Sequence, residues 1–208
     1  MESTMVHNRL YFLLLAFLPL ILIIFYFIAR NNLKRQGRVI NMRLYYEALN
    51  GLSNHLPGKV SKYHKLFFNE PSFSGNFLGH VFTVTFWKSE LVAPFPSKLI
   101  LTCYSVSASK LKIFIYKKDP GTVLFAKEIY TGDKDIDRFF IYSNRPDEAR
   151  GYFSDMSRRT AIKQIVNNGW EPPMITGNKI TVESFEPKPE LDPEFIQETL
   201  KMMITLQS

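Results

Sequence analysis

Lys110-Leu111-Lys112-Ile113-Phe114-Ile115-Tyr116-Lys117-Lys118 is followed directly by Asp119-Pro120-Gly121. Leu111, Ile113 and Ile115 alternate with Lys110, Lys112, Phe114 and Tyr116, the period of two that puts one set of side chains on each face of a strand. Proline and glycine behind an aspartate then supply turn chemistry. Working outward, further β-branched and aromatic runs bounded by Gly, Pro, Ser or Asp predict strands at Asn76 to Lys88, Lys98 to Val106, Val123 to Thr131 and Arg138 to Ser143. The gaps between them are too short for crossover helices, so the expected topology is an antiparallel meander rather than a parallel, doubly wound sheet.

Helix signals come next. Asn144-Arg145-Pro146-Asp147-Glu148 places a proline in a first turn with acids suited to the helix dipole, and a second start at Ser154-Asp155 leads through Ile162, Ile165 and Val166 to Gly169. Met174 to Thr176 and Lys179 to Val182 flank Gly177-Asn178, a two-residue hairpin signal. Asp192-Pro193-Glu194 opens a last helix carrying Ile196, Leu200, Met203 and Ile204 on one face. The expected fold class is α+β, a mostly antiparallel β-sheet with helices packed on one face, preceded by a single N-terminal transmembrane helix.

That span is the run Leu10 to Ala29, 20 residues without a charge, flanked by Arg9 and Arg30. At ~1.5 Å per residue it is ~30 Å long, the thickness of a bilayer's hydrocarbon core. Its 7 Leu, 4 Ile and 4 Phe favour insertion by about 5–9 kcal/mol on the translocon scale. Pro19 kinks without forbidding a span, and Tyr11 and Tyr26 sit where aromatic belts form. A cleaved leader would have a shorter apolar core ending in small residues, whereas this run ends Phe27-Ile28-Ala29-Arg30-Asn31. The expected order is a tail at 1–9, a signal-anchor span at 10–29, a basic juxtamembrane helix and linker at 30–72, and a globular domain at 73–208. Within the third segment Leu33 to Asn50 reads as a helix, with packing on the domain its ordinary fate, and 51–72 as turn or linker.

Charge is distributed unevenly. The formal net charge of +7 resides wholly in residues 30–65, with eight Lys or Arg against Glu47; residues 66–208 carry 17 of each sign. A basic balance concentrated beside a span needs no nucleic acid to explain it. Arg30, Lys34, Arg35, Arg38 and Arg43 are the expected membrane-surface residues, available to anionic lipid headgroups at roughly 1 kcal/mol each. Their excess over Arg9 predicts a single-pass protein of the cell membrane with its C-terminal domain on the cytoplasmic side, the extracytoplasmic placement being the alternative. The absence of an Asn-x-Ser/Thr sequon and the single Cys103 agree with the cytoplasmic side.

Composition excludes other classes. With 46% hydrophobic and 22% charged residues, 18 Phe and 10 Tyr, the chain has enough apolar surface to form a core. One cysteine excludes an intrachain disulfide framework and a multi-thiolate zinc site. No phosphate-binding glycine loop, nucleophile elbow, His-Glu-x-x-His helix or EF-hand loop occurs, so no catalytic, cofactor-binding or metal residue is assigned and the expected role is not enzymatic. His80 reads as an ordinary strand histidine and Cys103 as an inert buried thiol. Gly75 and Gly79 read as turn or bulge glycines, and Asp133, Asp135 and Asp137 as a solvated turn lacking the offsets of a cation loop.

The G-x-x-x-G-H strand start at Gly75-Gly79-His80, the Asp137-Arg138-Phe139-Phe140-Ile141-Tyr142 strand, the Pro146-Asp147-Glu148-Ala149-Arg150 helix start and the closing strand and helix together resemble bacterial membrane-anchored proteins of unknown function. The resemblance covers residues 73 to 206. Its motifs concern packing and turns, so it implies architecture and no site. The function expected is a protein-binding accessory or scaffold domain at the membrane; the alternative is a membrane-anchored enzyme or small-molecule binder whose site is assembled from residues distant in sequence.

Overall fold

Among the described residues seven antiparallel pairings join eight strands into one sheet of order β1-β2-β3-β4-β8-β7-β5-β6. The structure, a computed structural model, describes residues 22–28, 43–61, 71–87, 98–105, 109–118, 127–184 and 191–207. Two compact units divide at Asn41/Met42. The described part of the first is the helical stretch 22–28. Every residue from Leu22 to Ile28 is half or more exposed, around the full circumference of the helix. Among the described residues no helix is long and apolar enough to cross a membrane; residues 10–21 and Ala29 of the expected span lie outside them.

The second unit is α+β. Its strands are β1 (Gly58–Val60), β2 (Ser72–Phe77), β3 (His80–Trp87), β4 (Lys98–Tyr104), β5 (Lys112–Lys117), β6 (Phe139–Ser143), β7 (Met174–Thr176) and β8 (Lys179–Ser184). Its helices are α1 (residues 43–52), α2 (Lys134–Asp137), α3 (Pro146–Ser154), α4 (Met156–Asn167) and α5 (Pro193–Thr205). Alternation sorts the strand side chains onto two faces. Phe73, Phe82, Val84, Leu101, Cys103, Ile113, Ile141, Ile180 and Val182 share one buried cluster with Ala161, Ile162 and Ile165 of α4 and Ile196, Leu200 and Met203 of α5. The helices therefore cover one face, as the pattern predicts. The opposite face carries Ser74, Thr83, Thr102 and Thr181, aligned across β2, β3, β4 and β8.

Helix ends follow local rules. Asp155 and Asp192 cap α4 and α5 by accepting from the backbone N–H of Ser157 and Glu194. Gly169 ends α4 at φ 88°, its N–H donating to Val166 O while Trp170 N–H reaches Ile165 O, a pair of bonds that closes the last turn. Gly177, at φ 60°, begins the two-residue turn between β7 and β8.

Four expectations change. The expected strand Asn76 to Lys88 is two strands, β2 and β3, joined at Leu78-Gly79, while Lys88 lies outside the described residues. Both turn residues have positive φ, 51° and 84°, the geometry that matches strand twist in a tight hairpin. Leucine gave no sign of a turn, and Leu78 is 70% exposed. Replacing it by asparagine, which tolerates the left-handed region, is expected to raise stability by about 0.5–1 kcal/mol, read as a higher thermal midpoint.

Second, the expected turn or linker at 51–72 contains β1, and Leu52 and Leu56 enter the core with Leu49 of α1. Tyr45 stacks on Phe86 at 4.5 Å. Third, the sheet is no simple meander: the β7–β8 hairpin inserts between β4 and β5, with Cys103 opposite Ile180 and Ile113 opposite Ile175. Fourth, Val123 to Thr131 is not a strand over its described residues 127–131, although Ile129 N–H donates to Ile141 O and runs beside β6; residues 123–126 lie outside the described ones, as does Val106 of the strand expected at Lys98 to Val106.

Candidate functional site

Of the five basic residues expected at the membrane surface, Arg43 is described, and Arg30, Lys34, Arg35 and Arg38 lie outside the described residues. Arg43 is exposed at the start of α1 and its Nε donates to Glu47 Oε1 at 2.8 Å, one turn on. Exposed pairs of this kind contribute about 0.3–0.5 kcal/mol.

The three aspartates form no cation loop. Asp133 caps α2, accepting from Asp135 N–H, and its carboxylate takes Lys163 Nζ at 2.8 Å from α4. Lys163 holds the Asp133 carboxyl below its usual range, and the two aspartates Asp133 and Asp135 raise Lys163 in turn. Asp137 accepts from Thr131 N–H and Oγ1 and from Gly132 N–H, tying the preceding loop. Asp133 is thus a half-buried interhelix tether where the sequence suggested a solvated turn. Among the described residues no group of three or more His, Cys, Asp or Glu is placed to hold a metal ion.

Cys103 is fully buried on the helix-covered face of β4. Burial pushes its thiol up to about 11, opposed by the Gln207 side chain. Between the ordinary thiol value and about 11 the unfolded chain releases a proton that the native chain keeps, so this group lowers stability as pH rises through that window. Maleimide labelling of the native chain at pH 8 is expected to be ~100-fold or more slower than in urea. His80 is half-buried, and its Nδ1 has no partner among the described residues.

Two features gather residues far apart in sequence. The first lies on the sheet face that carries the hydroxyl row. Phe114 and Tyr116 of β5 and Tyr142 of β6 project there, with centroids 6.3 Å apart for Phe114–Tyr116 and 6.2 Å for Phe114–Tyr142. Tyr116 and Tyr142 are exposed. Beside them Lys118 pairs with Glu128 and lies 5.6 Å over the Tyr130 ring, while Tyr130 donates to Glu128 Oε2. The Glu128 carboxylate raises both Lys118 and Tyr130. The result is an aromatic cluster rimmed by charge at the β5–β6 end of the sheet.

The second is a cavity of about 180 Å³ at the end of the sheet marked by the β7–β8 turn. Ser105 N–H donates to Asn178 O and Gly177 N–H to Leu111 O, so three strand ends are pinned together. From the helical side come Tyr152 of α3, Arg158 of α4 and Gln207 after α5. Tyr152 donates to Leu206 O at 2.6 Å, and burial pushes its phenol well above its usual value. Arg158 lies 4.4 Å over the Tyr152 ring, its Nη1 reaching Tyr152 O at 3.4 Å. Gln207 Nε2 donates to Cys103 O at 3.2 Å. Motif spacing could reveal neither feature, since the contributing residues lie on separate elements.

No protein-family model and no curated protein matches the chain. Among solved structures, the crystal structure of the mycobacterial trehalose monomycolate transport factor A, TtfA, is similar at 12% identity and a TM-score of 0.49, covering 77% of this chain and 91% of that one. A likeness at that level carries no statement about activity.

Proposed function

We propose that the chain is a single-pass membrane protein whose α+β domain acts as a protein-binding accessory or scaffold at the cytoplasmic face. The observation that carries the reading is the aromatic cluster of Phe114, Tyr116 and Tyr142, with two exposed tyrosines on the face opposite the helices. Rigid aromatic side chains beside a charged rim are the composition in which interface energy concentrates. The anchor is supported by the uncharged run Leu10 to Ala29 and by the exposure of every apolar residue from Leu22 to Ile28, which water does not favour. The basic residues Arg30, Lys34, Arg35, Arg38 and Arg43 support the orientation and meet anionic headgroups beside the span.

The test joins fractionation to crosslinking. The full chain should stay in the membrane pellet after alkaline carbonate washing, and a reporter at Ser208 should be active in the cytoplasm. A photo-crosslinker in place of Tyr116 should give a discrete protein adduct that one in place of the distant Met156 does not. Substituting Tyr142→Ser should weaken that adduct about tenfold or more. Release by carbonate, or identical adducts from both positions, would refute the reading.

A further inference from the structure

We propose that the cavity at the β7–β8 turn binds a small organic anion, a carboxylate or phosphate carrying a hydroxyl group. The charge of the lining selects the sign. Arg158 and Lys179 both border it, and among the described residues lining it there is no carboxylate. Asp155, which is not among the lining residues, forms an ion pair with Arg158 at 3.7 Å from Nε, longer than a hydrogen bond. Among the described residues Lys179 makes no ion pair, and it stands exposed at the cavity's rim beside the turn.

Unmet hydrogen-bonding capacity selects the ligand's groups. Among the described residues the buried Arg158 Nε, 3.7 Å from its ion-pair partner Asp155, makes no hydrogen bond, and neither does the buried Gln207 Oε1, so the site holds one free donor and one free acceptor. A buried group left in that state keeps its desolvation penalty uncompensated, the more so when charged. One molecule offering an anionic oxygen and an O–H satisfies both. The Arg158 guanidinium is held in place by the Tyr152 ring and carbonyl, so little freedom is lost when it meets an anion. Ile175, Ile180 and Leu206 supply an apolar wall for a short carbon backbone. At ~30 Å³ per water the space equals about six waters, the scale of a three-carbon phosphate ester and too small for a nucleotide.

A soluble ester and a lipid headgroup share this chemistry, and two experimental arms separate them. In the first, the full chain in neutral detergent is titrated calorimetrically with glycerol 3-phosphate, with glycerol as the uncharged control. Saturable binding of the phosphate but not of glycerol is expected, with displacement by inorganic phosphate. In the second, reconstituted chain is presented with phosphatidylglycerol or phosphatidylcholine vesicles. Arg158→Gln and Lys179→Gln should each weaken binding about tenfold in whichever arm gives it. Lys179→Gln keeps the proposal testable should Arg158→Gln unfold, because Lys179 is exposed and its removal leaves the core intact. Binding in the first arm identifies a soluble anion, and binding confined to phosphatidylglycerol vesicles and lost in Lys179→Gln identifies a headgroup. No saturable binding in either arm, equal binding of glycerol, or binding unchanged in Lys179→Gln would overturn the assignment.

Discussion

Phe82→Ala is expected to lower the unfolding free energy by about 3–5 kcal/mol, the range for emptying a buried aromatic site. Phe82 is fully buried on the helix-facing side of β3 and its ring lies 5.7 Å from that of Phe73. It stands opposite Gly75 of β2, whose missing side chain leaves the place that the ring fills. A Cβ on Gly75 would come within 2.8 Å of the Phe82 ring and 2.5 Å of Pro57 O. Truncating Phe82 therefore opens a void with a glycine for its floor. Since ordinary domains hold about 5–15 kcal/mol, the variant loses a large share of its stability. Urea unfolding of the full chain in mild detergent should show a lower midpoint with an unchanged slope.

The companion change tests the same contact from the other side. Gly75→Ala is expected to cost about 1–3 kcal/mol by overpacking. Adding Phe82→Leu to it should not restore stability, because the Pro57 carbonyl is backbone and remains in the way. A neutral Gly75→Ala would show that β1, β2 and β3 do not approach as closely as described.

The second large effect is expected at Trp170→Ala, also about 3–5 kcal/mol. Trp170 follows the glycine that ends α4, stacks on Phe195 of α5 at 5.6 Å with ring planes 5° apart, and donates from Nε1 to Thr199 Oγ1. One side chain thus ties the exit of α4 to the buried face of α5. Trp170→Phe should cost less, about 1 kcal/mol from the lost bond in addition to any repacking, since Thr199 still donates to Phe195 O and no donor is orphaned. Thr199→Val leaves the Trp170 N–H buried and unpaired, at about 1–3 kcal/mol. The double variant should then cost less than the sum of the singles. Strict additivity would mean that the bond contributes nothing.

These residues divide what was legible from what was not. Asp155, Asp192, Pro146, Pro193 and Gly169 announce helix ends because a cap acts within four residues of itself. The alternation at 110–118 likewise marks β5 before any partner is known. The Leu78-Gly79 hairpin was legible in one of its two residues: Gly79 reads as a turn glycine, but leucine carries no turn preference, and six cross-strand pairs from Ser72–Thr85 to Phe77–His80 hold Leu78 at positive φ against its local cost. Strand β1 was not legible, three residues whose strand state exists only through pairing with β2.

By itself the sequence determined the α+β class, the starts of α3, α4 and α5 and the end of α4, the β7–β8 turn and the uncharged run behind the proposed anchor, because propensity, capping and hydrophobic period are properties of neighbours along the chain. Only the tertiary structure decided that β8 and β7 separate β4 from β5, that Asp133 tethers α4, and that Ser105, Tyr152, Arg158, Lys179 and Gln207 surround one cavity. Those outcomes depend on which apolar faces meet when the core closes, and a residue's place in that closure is written across the whole chain.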